Sequence, residues 1–165
     1  MRRTVIGSVV VLFVLSILAA AAGKPNFTGS WTMDRGRSFG MPGDMQQTMT
    51  VTQNEETIEL ETKLIQPNNE RSVKDTYILD GKEHEFTPPV APGQPPAKGK
   101  RTSTWLPAGN GIMVTEATTA ETPKGPATTN IVRKWTLSAQ GELVIDMYVD
   151  NPNASYETKR IFLKK

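Results

Sequence analysis

Charged side chains recur among the apolar residues of several short, alternating segments of this sequence, and they are its best candidates for chemistry. Side chains alternate between the two faces of a β-strand, so residues two apart share a face. Arg101 therefore shares a face with Trp105, and Arg133 shares one with Trp135. An arginine holds a carboxylate through paired hydrogen bonds, and aromatic rings form apolar walls. The pattern predicts an inward face that combines cations with rings.

Asp75 and Glu116 occupy the same kind of face, Asp75 with Tyr77 and Glu116 with the apolar residues before it. Burying a charge without a partner costs free energy. One interpretation is that the charges form internal ion pairs, Arg133 with Glu116 and Arg101 with Asp75, or reach solvent at a barrel mouth. The other is a polar-lined cavity in which arginines hold an anion. The candidate ligand-binding residues are Tyr77, Arg101, Trp105, Glu116, Arg133 and Trp135.

Other kinds of chemistry have little support in the sequence. The single histidine, His84, stands in a charged segment that is typical of a solvated hairpin turn. The chain has no cysteine, which removes thiol nucleophiles, thiolate metal ligands and disulfides. No glycine-rich phosphate loop or nucleophile elbow is present. We therefore expect no metal, no cofactor and no enzymatic activity.

The N-terminal segment predicts export. Arg2 and Arg3 precede an apolar run over residues 5–18, and small residues follow it. This order is typical of a signal peptide, and the run is shorter than the roughly 20 residues of a membrane-spanning helix. We expect residues 1–22 to be a cleaved signal peptide, with no membrane span afterwards, and residues 23–165 to form one secreted or periplasmic domain.

Net charge argues against a nucleic-acid partner. The chain has 19 Lys and Arg against 17 Asp and Glu, but two of the arginines lie in the predicted leader. The remaining charge is near zero, whereas recognition of a phosphate backbone requires an excess of cations.

Alternation with a period of two recurs after residue 23, and no stretch shows the helical period of 3.6. Glycine, asparagine and proline clusters separate the alternating runs and favour chain reversals. The sequence predicts an all-β fold, a single antiparallel up-and-down β-barrel of about 8–10 strands preceded by a signal-peptide helix. The predicted strands cover residues 27–33, 46–53, 57–64, 71–79, 83–86, 98–106, 112–119, 128–137, 143–149 and 156–163.

Two connections are longer than a tight turn. Residues 34–44 contain Phe39 and Met41 among glycines, and we expect this segment to fold over one barrel mouth as a partial plug. Residues 87–97 contain five prolines and predict a semi-rigid surface loop that does not pair in a sheet.

The stretch Phe-Thr-Gly-Ser-Trp at residues 27–31, followed by a meander of strands, resembles the lipocalin-like (calycin) group of secreted barrels. The blocks at residues 77–82 and 134–141 are similar to those of small bacterial secreted proteins of this type. The resemblance implies a barrel fold and a capacity to hold small molecules, with no particular ligand.

The resemblance also implies how one end of the barrel is built. Gly29 and Trp31 match the element that places an indole ring across the end. A basic residue of the last strand, Arg160 or Lys159, is expected to pack on that ring by a cation–π contact of about 0.5–2 kcal/mol.

We therefore expect an exported, non-enzymatic β-barrel that binds a small hydrophobic or anionic molecule. The alternative is a solid-cored interaction module of the cell envelope, with a filled interior and an exposed apolar patch around residues 39–45 or the proline-rich loop. An enzyme of unknown type is the third hypothesis.

Overall fold

The computed structural model describes residues 23–40, 43–89, 97–123 and 125–165. The predicted signal peptide, Met41 and most of the proline-rich loop lie outside these ranges. Within them, no helix is long and apolar enough to cross a membrane.

The described residues form ten β-strands, which confirms the all-β prediction. The strands lie close to their predicted positions, since alternation and turn residues are local signals. In chain order they are β1 (Gly29–Met33), β2 (Gln46–Gln53), β3 (Thr57–Gln66), β4 (Asn69–Ile78), β5 (Glu83–Phe86), β6 (Lys98–Trp105), β7 (Gly111–Thr122), β8 (Gly125–Leu137), β9 (Leu143–Asn151) and β10 (Ala154–Lys164).

The strands form one antiparallel sheet in the order β4-β3-β2-β1-β10-β9-β8-β7-β6-β5. Nearly every strand pairs with its neighbours in sequence, and β1 pairs with β10 to join the two halves. This is an up-and-down topology, and the sheet curls into a half-barrel. The two edge strands of the sheet are β4 and β5, although these strands are consecutive in the chain.

The gap between β4 and β5, here called the seam, is bridged by side chains. Among the described residues, β4 pairs only with β3, and β5 pairs only with β6. Strand β5 has only four residues and runs into prolines, which cannot donate to a ladder. The sequence pattern predicts a closed barrel. In the structure, side chains and not a described strand ladder cross the gap between the two edges: Arg101 of β6 donates hydrogen bonds to Asp75 of β4.

One end of the half-barrel, here called the filled end, is packed with large side chains. Its fully buried residues include Phe27, Trp31, Ile112, Leu143 and Phe162. The indole N–H of Trp31 donates to the carbonyl oxygen of Phe27 at 2.9 Å, so the ring carries no unsatisfied donor. Each such side chain contributes about 1.5–3 kcal/mol through burial. The filled end is therefore the main apolar core.

The Gly29–Trp31 element lies at the filled end, but the cation over the Trp31 ring is Lys164. The Lys164 Nζ atom is 5.5 Å from the ring centroid. The expectation of Arg160 or Lys159 was wrong because Trp31 pairs directly with Lys164 in the register of β1 and β10. Lys159 instead lies 3.4 Å from the Asp146 carboxylate, and Arg160 lies deeper in the half-barrel.

The residues that come after β1 in the chain run alongside β10. The expectation that residues 34–44 fold over a barrel mouth as a partial plug was therefore wrong for the described part of this segment. The backbone N–H of Asp34 donates to the Ile161 carbonyl at 2.7 Å, and Phe39 forms a β-bridge with Lys159. Strand β10 extends well past β1, so this segment satisfies backbone groups that β1 leaves unpaired. The Phe39 side chain is 54% exposed and lines a shallow outer pocket together with Tyr148.

We predict that Gly99→Ala destabilises the protein by about 1–3 kcal/mol, because the added methyl group overlaps the Phe86 ring. Chemical denaturation measures the change. Gly43→Ala is the matched control, since apart from its chain neighbours no atom of the residues that the structure describes lies within 4 Å of the added methyl group. Equal stabilities for the two variants would contradict the packing of Phe86 against β6.

Candidate functional site

A cavity of about 420 Å³ lies inside the curled sheet. Every strand except β1 contributes lining residues, so the whole sheet positions this space. Trp135 and Tyr77, which belong to the apolar core, also line the cavity and form its inner limit. The cavity therefore occupies the half of the interior that the core leaves open.

The ionic cluster comprises Asp75, Arg101, Glu116 and Arg133. The two terminal nitrogens of Arg101 donate to the two carboxylate oxygens of Asp75 at 2.6 and 2.7 Å. Its Nε donates to Glu116 at 2.7 Å, and the second oxygen of Glu116 accepts from Arg133. The ion pairs predicted from same-face spacing, Arg133 with Glu116 and Arg101 with Asp75, are confirmed.

Arg101 has a full set of partners. Besides the two carboxylates, it donates to the carbonyl oxygen of Thr76 at 3.0 Å. Its guanidinium carbon lies 3.9 Å from the Phe86 ring centroid and 4.8 Å from that of Tyr77. Burial lowers the pKa of Arg101, but its hydrogen bond to Asp75 and the negative charge of the nearby Glu116 outweigh burial and raise the pKa overall. Arg101 is therefore a clamp across the seam.

Arg160 is the cavity cation without a counter-charge. Its Nη1 donates to Oε1 of Gln47 at 2.9 Å, and its Nε has no acceptor in the described part of the chain. Among the described residues no carboxylate forms an ion pair with it. Burial, followed by the positive charge of Arg133, lowers the pKa of Arg160 to about 10. The side chain is still a cation at neutral pH.

Trp135 and Tyr77 form an aromatic wall. Their ring centroids lie 5.7 Å apart in an edge-to-face arrangement. The Trp135 side chain is fully buried, and its indole N–H has no acceptor in the described ranges. Burial raises the pKa of Tyr77 to about 12, so its hydroxyl is neutral at physiological pH. Among the described residues the Trp135 indole N–H and the Arg160 Nε–H both lack an acceptor and have almost no accessible surface, so what the cavity offers an anion is the positive charge of Arg160.

The cavity walls become uncharged toward the hairpin turns that end β3, β7 and β9. On β4, β7 and β8 uncharged lining residues lie nearer those turns than the charged residue on the same face, so the charges of the cavity lining lie deeper. These outer lining residues are Leu64, Val73, Pro88, Pro89, Thr118, Thr129 and Ile131. The site therefore has a cationic interior and a largely apolar outer part.

Five of the six predicted cavity residues meet at this site, and Trp105 does not. Trp105 lies four residues beyond Arg101 on β6, toward the filled end, where the Lys24 Nζ atom is 4.7 Å from its ring. Arg160, which sequence reasoning placed at the barrel end, belongs to the cavity instead.

Sequence reasoning missed Gln47 and Phe86 as lining residues. A signal for Gln47 was present, because it shares a strand face with the buried Met49 and Val51.

Comparisons with known proteins bear on the fold. No protein-family model matches the chain, and no curated protein does. The crystal structure of secretory abundant heat soluble protein 4 from Ramazzottius varieornatus is similar, with a TM-score of 0.52 and 14% sequence identity. The match covers 87% of this chain and 96% of that chain. At this identity the likeness shows the fold alone, a β-barrel-like antiparallel sheet.

We predict that Arg101→Met lowers the free energy of unfolding by about 3–5 kcal/mol, because it leaves Asp75 without a cation and Glu116 with only one of its two cations, Arg133. Chemical denaturation measures the loss. Lys100→Met, on the opposite face of the same strand, is the matched control. Lys100 pairs with Glu83 at 2.7 Å, but both side chains are more than half exposed, so we expect a loss below about 1 kcal/mol. Similar small losses for both variants would refute the clamp.

Proposed function

We propose that this protein is an exported, non-enzymatic binding barrel for a small, partly apolar molecule that carries a carboxylate or a similar anionic group. The observation that supports the proposal most is the uncompensated positive charge of Arg160 inside the cavity. A buried charge without a partner costs free energy, and an anionic ligand supplies that partner.

The geometry favours one orientation of the ligand. The anionic end would lie deep, beside the positive charge of Arg160. The apolar body would extend along Leu64, Val73 and Ile131 toward the hairpin turns. A cavity of about 420 Å³ falls within the usual range for ligand sites. At roughly 30 Å³ per heavy atom it holds on the order of 14 atoms.

The family relation and the cellular location of the protein are part of the same proposal. A curled ten-stranded up-and-down sheet with Gly29 and Trp31 at its filled end supports a relation to the lipocalin-like (calycin) barrels. The leader-like residues 1–22 support export to the periplasm or the exterior. The name of the similar solved structure describes that protein as secretory, which fits this location.

An interaction module of the cell envelope is the second candidate. The exposed Phe39 and Tyr148 side chains, which line a shallow outer pocket of about 280 Å³, favour it. That function predicts a filled interior, however, whereas the described structure contains the cavity of about 420 Å³, which favours ligand binding. Replacing Phe39 and Tyr148 with serine separates the two, because small-molecule binding should be unaffected.

We predict that the protein binds decanoate about tenfold or more tightly than decanol, because only the acid neutralises Arg160. Isothermal titration calorimetry at pH 8 measures both affinities. Arg160→Gln should remove most of this preference while leaving decanol binding nearly unchanged. Lys159→Gln is the matched control, since this cation lies beside Asp146 on the opposite strand face.

Two results would overturn the proposal. One is a wild-type protein that binds neither decanoate nor other amphiphilic monoanions, such as decanesulfonate. The other is an Arg160→Gln variant that keeps the full preference for the acid.

A further inference from the structure

Gln47 is a buried polar residue whose only described partner is the unpaired cation of the cavity. It lies on β2, is 3% exposed and accepts a hydrogen bond from Arg160 at 2.9 Å. Strand β1 separates β2 from β10 in the sheet and ends at Met33, which pairs with Phe162. The Arg160 side chain therefore reaches Gln47 just beyond the end of β1.

The charges around the cavity do not cancel. Among its described lining residues, three arginines face two carboxylates, and Tyr77 is neutral. Asp75 and Glu116 are already engaged by Arg101 and Arg133. One positive charge remains, on Arg160, whose other close groups are Arg133, Tyr77 and Tyr156.

A glutamate at position 47 would have nearly the same shape as glutamine and would accept the same hydrogen bond. It would also neutralise Arg160 and give the cavity three arginines and three carboxylates. Glutamine instead orients the guanidinium through its amide oxygen and leaves the charge in place. The amide thus provides a hydrogen bond without a counter-charge.

We propose that Gln47 sets the charge selectivity of the cavity, so that the preferred ligand carries a single negative charge at its deep end. This inference rests on the proposed function and names the ligand class more narrowly, as amphiphilic monoanions. A second charge at the same end would be buried without a cation, since the other two arginines are shared with protein carboxylates. Gln47 is a positioning and selectivity residue that need not touch the apolar body of the ligand.

Replacement at position 47 tests the inference by calorimetry with decanoate and decanol at pH 8. We expect Gln47→Glu to weaken decanoate binding by about tenfold or more and to change decanol binding by less than about threefold. Gln47→Met, which has similar length and no charge, should keep the preference for the acid. Wild-type decanoate affinity in Gln47→Glu would overturn the inference, as would equal losses of the acid preference in both variants.

A second measurement needs only the wild-type protein. Octylmalonate is decanoate with an additional carboxylate on the carbon next to the first, so the two probes differ by one charge at the deep end. We expect the wild-type protein to bind decanoate about tenfold or more tightly than octylmalonate at pH 8. Equal affinities would overturn the inference while leaving anion binding intact. Failure to bind either probe would instead count against the proposed function.

Discussion

A charged side chain in a protein interior needs an opposite charge, and this constraint governs the interior of the half-barrel. Within the described lining of the cavity, the alternation of the strands directs five charged groups to the concave face of the sheet. Four of them satisfy one another through shared hydrogen bonds, and one does not. The molecule therefore has a neutralised ionic cluster that supports the fold and a residual cation that is available to a ligand.

The same cluster solves a problem of sheet closure. Exposed sheet edges invite pairing with other chains, and a closed barrel removes them. Here the two edge strands are consecutive in sequence but lack a described ladder, and Arg101 connects β6 to β4 across the gap. Its guanidinium group also lies close to the Phe86 and Tyr77 rings, which adds cation–π contacts to the ionic bonds. A single side chain thus stabilises the closure of the sheet and forms part of the cavity wall.

Much of the fold could be predicted from the sequence because its signals are local. Alternation and turn residues located all ten strands, and same-face spacing identified Arg101 with Asp75 and Arg133 with Glu116 as partners. Such pairs follow from strand phase once neighbouring strands are assumed to curl around a common interior.

The features that were missed depend on register between distant strands. The cation over Trp31 is fixed by the pairing of β1 with β10, which lie more than 120 residues apart. The phase of β10 was also ambiguous, because Ile161 and Leu163 on one face alternate with Phe162 on the other. The spacing of Gln47 with Met49 and Val51 could have placed it on the inward face, but its role depends on Arg160, which a distant strand brings beside it.

The central claim is that Arg160 is a cation without a counter-charge until an anion binds, and the carboxyl pKa of the bound ligand tests it most directly. An arginine close to a carboxylate favours the ionised form and lowers the pKa of the carboxyl group by about 1–3. The carboxyl pKa of decanoate bound to the wild-type protein should therefore lie below that of the free acid, and Arg160→Gln should remove this decrease. NMR titration of decanoate labelled with carbon-13 at the carboxyl carbon measures the pKa. A carboxyl pKa in the wild-type complex at or above that of the free acid would contradict the account.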